Sequence, residues 1–441
     1  MTKPSVLILG AGLMQRPAIL SAKELGFRAV VVDANPNAES VSLGDEFKEI
    51  DLKAKDEILD FAEELTENSN LKGIFTAGTD FSSSVSYAGE KLGFSCHSYE
   101  AALNATIKPR MRKCFERCDV PSPKYFSLSG AEITEKNVLS AVEKLSFPCV
   151  VKPADNMGAR GCRMIRFMDE AWRSVKIAAG NSRTSTVILE EYMEGPEFSI
   201  DAIVYNGTLT ITGFADRHIF YKPYFIETGH TMPSKIDEKM RLELISAFAD
   251  GVKALGLTCG AAKADIKYTE KGPQIGEIAA RLSGGYMSGW TYPYSSGINL
   301  TAQALLIAAG KEPSGILGGR IPLKTGNKNF EIFDCPSKNV SAERAWISIP
   351  GKVKSLHLPE KESPVQNVFP RPVKEGGDVD FPRNNVQKCG NVITKSDSYE
   401  KAVSAAEKAV SAAFLRLEPN VSATHFFLFA LHAQLLLLFD A

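Results

Sequence analysis

The chain has 441 residues, of which 44% are hydrophobic and 23% are charged, and its formal net charge is −1 at neutral pH. These proportions are ordinary for a globular protein with enough core for about three domains. A near-zero net charge without a long basic block excludes the pattern expected of a nucleic-acid-binding protein, so nucleic acid is not an expected partner.

The eight cysteines are scattered and form no CxxC pair. Cys114 and Cys118 have no neighbouring His or Cys that would complete a zinc site. Reduced thiols in a cytoplasmic protein are the favoured interpretation. The N-terminal residues enter a strand and a glycine turn directly, without the layout of a signal peptide, which also predicts a cytoplasmic location.

Residues 4 to about 100 alternate between strand and helix patterns. The apolar runs SVLILG, RAVVVD and LKGIFTAG predict three buried strands. Helices are predicted over Gln15 to Gly26, Lys55 to Leu65 and Phe81 to Gly93. Such alternation is typical of a parallel sheet with right-handed crossovers. The first domain is therefore predicted to be Rossmann-like and to span residues 1–103.

The first predicted strand is followed by the turn Gly10-Ala11-Gly12, and Asp33 closes the second strand. These features occur in dinucleotide-binding domains, but Gln15 replaces the third glycine of the GxGxxG pattern. A tight strand-to-helix turn without a cofactor is the favoured interpretation. An NAD(P)-linked oxidoreductase that uses this turn is the alternative.

The second region, residues 104–312, begins with a basic helix that carries Lys108. Lys152 ends the apolar run CVV, where an unpaired ammonium is costly, so it needs either an acid of the protein or a bound anion. The loop that follows contains Gly158, Arg160 and Gly161. Its backbone N–H groups and guanidinium suit phosphate oxygens, and a plain hairpin turn is the alternative.

Several acids follow the next predicted strand, TVILEEY, in the segment from Glu190 to Glu197. They form either a solvated strand edge or a clamp for a purine and its ribose. Carboxylates can accept hydrogen bonds from an adenine amino group and from ribose hydroxyls. The residues by themselves leave both interpretations open.

Two acids, Asp265 and Glu277, lie in short strands predicted over residues 262–268 and 273–278. Paired as a hairpin, these strands would present both carboxylates on one face because side chains alternate along a strand. Arg281 follows, and then the pair Gly284-Gly285. Mg²⁺ takes one or two carboxylates and completes its coordination with phosphate oxygens and water. The pattern predicts a site for Mg²⁺ and a triphosphate, and a surface hairpin with acids facing solvent is the alternative.

The C-terminal region, residues 313–441, mixes short strand patterns with one helix. KVKSLHL and CGNVIT predict strands, residues 326–329 and 376–385 predict loops, and Tyr399 to Leu415 predicts a helix. The apolar stretch from His425 to Phe439 is shorter than the roughly twenty residues that span a membrane. We expect a helix that packs on the body or on a partner subunit of a homodimer, and membrane attachment is the less favoured alternative.

The order of these motifs resembles the ATP-grasp superfamily, which includes biotin carboxylase, D-alanine–D-alanine ligase and the large chain of carbamoyl-phosphate synthase. The motifs are Lys108, VVKP with Lys152, the glycine-rich loop, LEEYMEGPEF, and Asp265 followed by Glu277-Ile278-Ala279-Ala280-Arg281. The resemblance implies an α/β protein with the ATP-grasp fold. It has an N-terminal pre-ATP-grasp domain, an ATP-grasp domain whose residues 135–197 form a lid-like subdomain, and a C-terminal α+β segment.

The resemblance also implies ATP and Mg²⁺ as cofactors, with Mn²⁺ as an alternative ion. The implied metal ligands are Asp265 and Glu277, and the implied catalytic residues that stabilise phosphoryl transfer are Arg281 and Arg160. The implied ATP contacts are Lys108 and Lys152 at the α- and β-phosphates, Gly158, Ala159 and Gly161 in a mobile flap over the β- and γ-phosphates, Glu190 at the adenine amino group, the backbone of Glu191 and Met193 at the ring edge, and Glu197 at the ribose.

One position departs from the family pattern. Family members commonly carry Asn two residues after the second acid, where this chain has Ala279. The EIAARL version is similar to that of L-amino-acid ligases, and it leaves the number of metal ions open. The resemblance implies a carboxylate–amine ligase that forms an acyl phosphate and then a dipeptide or related amide from small-molecule substrates. A carboxylating or carbamoyl-forming enzyme and a catalytically silent ATP-binding regulator are alternatives.

The segment between the nucleotide strand and the metal strands is where this superfamily usually builds its acceptor pocket. Arg217 is expected to pair with a substrate carboxylate there. His230 is expected to act as a catalytic residue that orients a substrate or takes a proton from the attacking amine. Gly284 and Gly285 are also assigned to substrate binding. A hydrogen-bonded loop histidine without a catalytic role is the alternative for His230.

Overall fold

The computed structural model describes residues 3–371 and 373–418. The terminal helix predicted from His425 to Phe439 lies outside the described residues. Within those two ranges, no helix is both long enough and apolar enough to cross a membrane.

The N-terminal part is a four-stranded parallel sheet in the order β3-β2-β1-β4. Its elements are β1 (Ser5–Leu9), α1 (Arg16–Glu24), β2 (Arg28–Asp33), β3 (Glu46–Glu49), α2 (Lys55–Ser69), β4 (Leu71–Phe75) and α3 (Ser82–Lys91). The three predicted strands and three predicted helices are confirmed. Strand β3 was not predicted, because its sequence EFKE carries three charges and one apolar side chain.

Two helices, α4 (Tyr99–Thr106) and α5 (Lys108–Arg117), lead into a second, antiparallel sheet in the order β5-β8-β6-β7. Its elements are β5 (Tyr125–Ser129), α6 (Glu135–Leu145), β6 (Cys149–Pro153), β7 (Arg163–Ile165), α7 (Met168–Gly180) and β8 (Thr186–Glu191). Apolar side chains of α6 and α7, among them Val138 and Val175, pack on this sheet and form its core.

The remaining elements build one large sheet and one small sheet. In chain order they are β9 (Glu197–Tyr205), β10 (Thr208–Phe220), β11 (Ile226–Met232), α8 (Glu238–Leu255), β12 (Gly260–Thr269), β13 (Gly272–Ala279), a π-helical turn (Met287–Thr291), α9 (Tyr292–Ser296), α10 (Leu300–Ala308), α11 (Ser314–Leu317), β14 (Ile321–Pro322), β15 (Glu331–Asp334), β16 (Val340–Trp346), β17 (Gly351–His357), β18 (Val365–Pro370), β19 (Asp378–Val379), β20 (Gly390–Ser396), α12 (Tyr399–Ala412) and β21 (Phe414–Glu418). The large sheet runs β13-β12-β9-β10-β11-β16-β20-β18, with β15 paired to β10 and β14 to β15, and the small sheet is β19-β17-β21.

The large sheet combines strands from both sides of residue 312, because β11 pairs with β16. Its main core lies between the strands and α8, where Phe248 and Ile278 are fully buried. The N-terminal sheet docks on α10, and this contact requires Gly73 in β4. A Cβ at Gly73 would lie 2.0 Å from the Ala308 carbonyl oxygen, so only glycine allows the approach.

The predicted helix from Tyr399 to Leu415 ends earlier, at Ala412. Residues Phe414–Glu418 form β21, which pairs with β17. The sequence FLRLE alternates apolar and charged residues with a period of two, and this pattern favours a strand over a further helical turn.

Candidate active site

The three larger sheets meet around one cavity of about 890 Å³. Its walls come from the glycine turn after β1, the loop between β6 and β7, the end of β8, strands β10 to β13, and a C-terminal segment near Arg371. The predicted site residues that line it are Lys108, Lys152, Gly158, Ala159, Arg160, Glu190, Glu191, Met193, Glu197, Arg217, Asp265, Glu277, Arg281, Gly284 and Gly285. Gly161 and His230 do not line it.

The two predicted metal ligands lie side by side. In the antiparallel pair β12–β13, Asp265 and Glu277 are direct partners, so the predicted hairpin is confirmed and both side chains face the cavity. The Lys108 ammonium lies 3.8 Å from the Glu277 carboxylate. Burial raises the pKa of Glu277, but the charges of Lys108, Lys263 and Arg281 lower it further, to about 2. Glu277 is therefore ionised at neutral pH.

Arg217 on β10 is surrounded by acids. Its guanidinium lies 2.5 Å from Glu197, 2.6 Å from Glu227 and 2.6 Å from Asp265. Burial lowers its pKa, but these three carboxylates raise it above its ordinary value. Lys263 also pairs with Asp265. This arrangement favours an internal counter-ion for Arg217 over the predicted contact with a substrate carboxylate.

Glu190 is buried between two cations. One carboxylate oxygen accepts a hydrogen bond from Arg112 Nε at 2.7 Å, and the other accepts from Lys152 Nζ at 2.6 Å. Burial raises the pKa of Glu190, but Arg112 and Lys152 lower it to about 2. Lys152 thus has the acid partner that its sequence position required, while its side chain still reaches the cavity. With both oxygens engaged, Glu190 is not free to accept from the predicted adenine amino group.

The loop between β6 and β7 forms a flap, defined here as residues 155–161. Gly158, Ala159 and Gly161 have φ angles of 65°, 58° and 72°, which are in the left-handed region. Gly161 turns away from the cavity: a Cβ there would lie 2.8 Å from the Asn181 side chain. Among the described residues, the Arg160 guanidinium pairs with no acid, and its contacts are weak ones to Asn156 Oδ1 and to the Met157 carbonyl.

His230 lies behind the cavity wall. It is a residue of strand β11, not of a loop, and it is fully buried. Its Nδ1 lies 2.8 Å from Glu343 on β16, and its Nε2 lies 3.4 Å from Glu227. Burial lowers the pKa of His230, but the two carboxylates raise it above its ordinary value. Glu227, in contrast, lines the cavity, so His230 acts on the cavity through Glu227.

The loop after β13 runs close to these acids. A Cβ at Gly285, whose φ is 60°, would lie 2.8 Å from Glu227 Oε1 and 3.4 Å from His230 Cε1. Arg281 at the start of the loop donates to the Leu282 carbonyl at 2.9 Å and lies 3.4 Å from Asp80. The Gly284-Gly285 pair therefore brings backbone to the cavity where a side chain would clash.

The glycine turn after β1 is held by two side chains. The amide of the buried Gln15 receives a hydrogen bond from Ala77 N at 2.8 Å and also donates to Thr79. Asp33 accepts hydrogen bonds from Ala11 N at 2.7 Å and from Asn35 N at 2.9 Å. Gln15 and Asp33 thus stabilise the turn itself, an arrangement that favours the cofactor-free interpretation over a dinucleotide site.

Residues 145–289 match the family model of the ATP-grasp domain. The chain contains an ATP-grasp domain. The matched residues include the flap, β8 and the β12–β13 hairpin, while Lys108 lies before them. The expected α/β architecture, with a parallel N-terminal sheet ahead of antiparallel sheets, is also confirmed.

Similar proteins support this fold. Carnosine synthase 1 from Mus musculus is 24% identical over 331 residues, covering 70% of the chain and 40% of that protein. D-alanine–D-alanine ligase from Pseudomonas entomophila is 27% identical over 176 residues, covering 39% of the chain and 53% of that protein. The chain spans about two fifths of the length of the carnosine synthases it matches.

Two solved structures cover nearly the whole chain. The L-amino acid ligase from Bacillus licheniformis superposes with a TM-score of 0.77 at 17% identity, covering 95% of the chain and 100% of that protein. The phosphoribosylglycinamide synthetase from Anaerococcus prevotii superposes with a TM-score of 0.70 at 20% identity, covering 94% and 100%. At these identities the likeness is one of fold.

Sequence reasoning missed several residues around the ATP-grasp cavity. Arg112 follows Lys108 by four residues on α5, and this helical spacing could have placed both on the same face. Lys263 alternates with Asp265 along β12, which would have indicated a shared face. Glu227 and Arg371 had no such local signal, because their partners come from distant parts of the chain.

Proposed function

We propose that this chain is an ATP- and Mg²⁺-dependent ligase that activates a carboxylate as an acyl phosphate and joins it to an amine. The observation that carries the proposal is the Asp265–Glu277 pair, which faces a cavity rich in cations and bordered by a glycine flap. Acids on adjacent strands beside Lys108 and Lys152 suit a metal-bound polyphosphate better than either group alone, because each charge has a complement.

The nucleotide would lie between the flap and the β12–β13 hairpin. Lys108 and Lys152 would hold the α- and β-phosphates, and the flap would cover the β- and γ-phosphates. The backbone of Glu191 and Met193 would meet the ring edge, and Glu197 would meet the ribose. We assign Glu190 a different task from the predicted one: it orients the Lys152 ammonium toward the phosphates.

The metal site would be completed by the nucleotide. In the part of the chain that the structure describes, no third His, Cys, Asp or Glu joins Asp265 and Glu277 to form a protein-only metal site. Two carboxylates fit Mg²⁺, which takes its other ligands from phosphate oxygens and water. When bound, Mg²⁺ neutralises phosphate charge and aligns the terminal phosphoryl group. Mn²⁺ could occupy the same oxygen ligands.

The chain's own residues would then act on the transferring group. A substrate carboxylate oxygen attacks the γ-phosphorus, and ADP leaves. Arg160, which lacks an acid partner, and Arg281 would stabilise the charge spread over the phosphoryl oxygens. The amine nitrogen then attacks the acyl carbon, the C–O bond to phosphate breaks, and the nitrogen gives up a proton. Closure of the flap would keep water from hydrolysing the acyl phosphate.

Glu227 is the acid at the acceptor side of this cavity. Burial raises its pKa, but His230 and Arg217 hold it well below its usual value, so Glu227 is ionised and can attract the ammonium form of an amine. We therefore revise the predicted catalytic role of His230 to that of a positioning residue, because its imidazole is buried and fixes Glu227.

The relatives favour amino acids as substrates. The printed names of carnosine synthase, D-alanine–D-alanine ligase and L-amino acid ligase all describe enzymes that join amino acids. We accordingly propose a dipeptide or a related amide as the product.

A substrate screen tests the proposal. The protein is incubated with ATP, Mg²⁺ and pairs of amino acids, bicarbonate included as a further carboxylate. Phosphate is measured by a coupled assay and amides by mass spectrometry. We expect ADP, phosphate and amide in equal amounts, and none of them after removal of Mg²⁺ with EDTA. Phosphate release with bicarbonate and no amide would favour a carboxylase, and no ADP with any pair would refute the ligase.

A further inference from the structure

Arg371 is a cavity residue that the proposed phosphoryl transfer does not use. It follows the last residue of β18, and its backbone N donates to the Cys389 carbonyl at 3.0 Å. Its half-buried side chain lines the same cavity as the carboxylate pair.

The charge of Arg371 has no counterpart in the protein. Other cations of the cavity pair with acids: Lys108 with Glu277, Lys152 with Glu190, Lys263 with Asp265, Lys267 with Glu197, Arg281 with Asp80, and Arg217 with three acids. Across residues 3–371 and 373–418, Arg371 forms no ion pair, and its buried Nε has no hydrogen-bond partner. A partly desolvated guanidinium without an acid is costly unless an anion completes it.

Aromatic side chains hold Arg371 in place. Phe369, two residues earlier, stacks on Tyr286 with ring centroids 4.8 Å apart, and Trp290 packs against both rings. Tyr286 directly follows the Gly284-Gly285 pair. Burial raises the pKa of Tyr286 to about 12, and the neighbouring Arg371 charge opposes that rise. The guanidinium is therefore fixed beside the loop that follows Arg281.

This position differs from that of the phosphate-binding cations. The charges that lower the pKa of Glu277 include those of Lys108, Lys263 and Arg281, whereas Arg371 acts on Tyr286. The activated carboxylate must lie beside the γ-phosphate, which is on the Glu277 side. An anion at Arg371 therefore belongs to a different substrate.

We propose that Arg371 binds the carboxylate of the amine substrate, so that the amine is itself an amino acid and the product is a dipeptide with a free carboxylate. This inference rests on the proposed ligase activity. A guanidinium binds a carboxylate through two parallel hydrogen bonds, which fixes the direction of the amino acid as well as its charge. Leu13, Met14 and Met287 also line this cavity and offer apolar contacts to a side chain.

The test compares each amine substrate found in the screen with its carboxamide, which keeps the amino group and removes the negative charge. For the wild-type protein we expect a KM for the amino acid at least about 10-fold lower than for the carboxamide. Arg371→Gln should raise the amino-acid KM by roughly 10- to 100-fold and change the carboxamide and ATP values little. Arg371→Lys, which keeps the charge but loses the fork, should be intermediate.

Arg383→Gln is the matched control, because Arg383 is an exposed arginine of the same segment and does not line the cavity. It should behave as wild type. An unchanged preference for the carboxylate in Arg371→Gln would overturn the inference, as would a selective rise in the KM of the activated acid.

A binding experiment separates the two proposals. Calorimetry with Mg²⁺, a non-hydrolysable ATP analogue and the twenty common amino acids measures amino-acid binding without turnover. Binding that Arg371→Gln abolishes supports the inference even if the ligase screen fails. No amino-acid binding to the wild-type protein overturns it.

Discussion

At the residue scale, the Asp265–Glu277 pair gives the sharpest prediction. Glu277 has a pKa of about 2 and is ionised at neutral pH, so it is available to a cation. Glu277→Gln keeps the size of the side chain and removes the charge. We expect turnover to fall by at least about 100-fold, because one of two protein ligands to the metal loses its charge. Initial rates over a series of Mg²⁺ concentrations measure the effect.

The control for this variant is Glu270→Gln, in the exposed turn of the same hairpin. It should retain wild-type rates. Circular dichroism and thermal melting check that Glu277→Gln is folded. Wild-type rates in a folded Glu277→Gln protein would show that the metal binds elsewhere.

Single residues were predictable where their partners are close in sequence. The facing of Asp265 and Glu277 follows from a short hairpin and strand alternation. Glu190 illustrates the limit, because its partner Arg112 is 78 positions away and lies on another element. The predicted adenine contact treated Glu190 as a free acid, since nothing local indicates that two cations occupy it.

At the element scale, apolar runs and turn residues predicted the strands and helices that have a strong pattern. Helix α6 has the predicted ends, Glu135 and Leu145. The strand β3 escaped because it has one apolar side chain, and β21 was absorbed into the preceding helix. In both cases pairing with a neighbouring strand decides the structure, and that partner lies outside the local window.

One C-terminal element crosses the cavity, and we call residues 384–388 the strap. Asn385 N donates to the Gly158 carbonyl of the flap at 2.9 Å, and Asn385 Oδ1 accepts from Glu227 N at 2.8 Å. Lys388 Nζ donates to the Glu227 carbonyl at 2.8 Å. One residue of the strap thus connects the flap with the acceptor strand β11.

This connection predicts how the strap affects the reaction. Asn385→Ala removes the bond to Glu227 N and leaves the backbone bond to Gly158. We expect water to reach the acyl phosphate more often, so that phosphate release exceeds amide formation by at least about 2-fold. The measurement is the ratio of the two products in the same reaction, together with the KM for ATP, which should change little.

Gln387→Ala is the comparison for the strap. Gln387 Oε1 accepts from Arg383 N within the segment, and Gln387 does not line the cavity. A general loosening of the strap would uncouple both variants equally. Equal product ratios in Asn385→Ala and in the wild-type protein would remove the proposed link between flap and acceptor.

At the scale of the whole molecule, the order of motifs predicted the architecture, but not how the sheets dock. The cavity exists only where the N-terminal sheet, the flap sheet and the large sheet meet. Their contacts depend on single positions such as Gly73, where glycine permits the approach of α10. No periodicity in the sequence reports on a contact between residues 73 and 308.

His97 is a second such contact, between the N-terminal part and strand β12. Its Nδ1 accepts hydrogen bonds from Thr258 N at 3.1 Å and Cys259 N at 3.2 Å, while Nε2 lies 2.9 Å from the Ala261 carbonyl oxygen. Nε2 must therefore carry the proton and donate. A second proton on Nδ1 would break both bonds to the backbone of the large sheet.

The neutral imidazole makes stability depend on pH. Burial lowers the pKa of His97 from 6.5 to about 4, although the bond to Ala261 opposes this. Between these values the unfolded chain binds a proton that the folded protein does not. Stability should therefore be full above pH 6.5 and should fall by about 3 kcal/mol as the pH decreases to 4. Urea unfolding at a series of pH values measures this slope.

Replacement of His97 tests whether that slope comes from this contact. His97→Gln should unfold at a lower urea concentration at pH 7, because buried backbone N–H groups lose their acceptor, at a cost of about 1–3 kcal/mol. It should also flatten the change between pH 6.5 and pH 4. His357→Gln, at an exposed histidine of β17, should keep the wild-type slope. Acid loss of stability that is the same in His97→Gln would mean that other groups, and not this junction, make the molecule sensitive to pH.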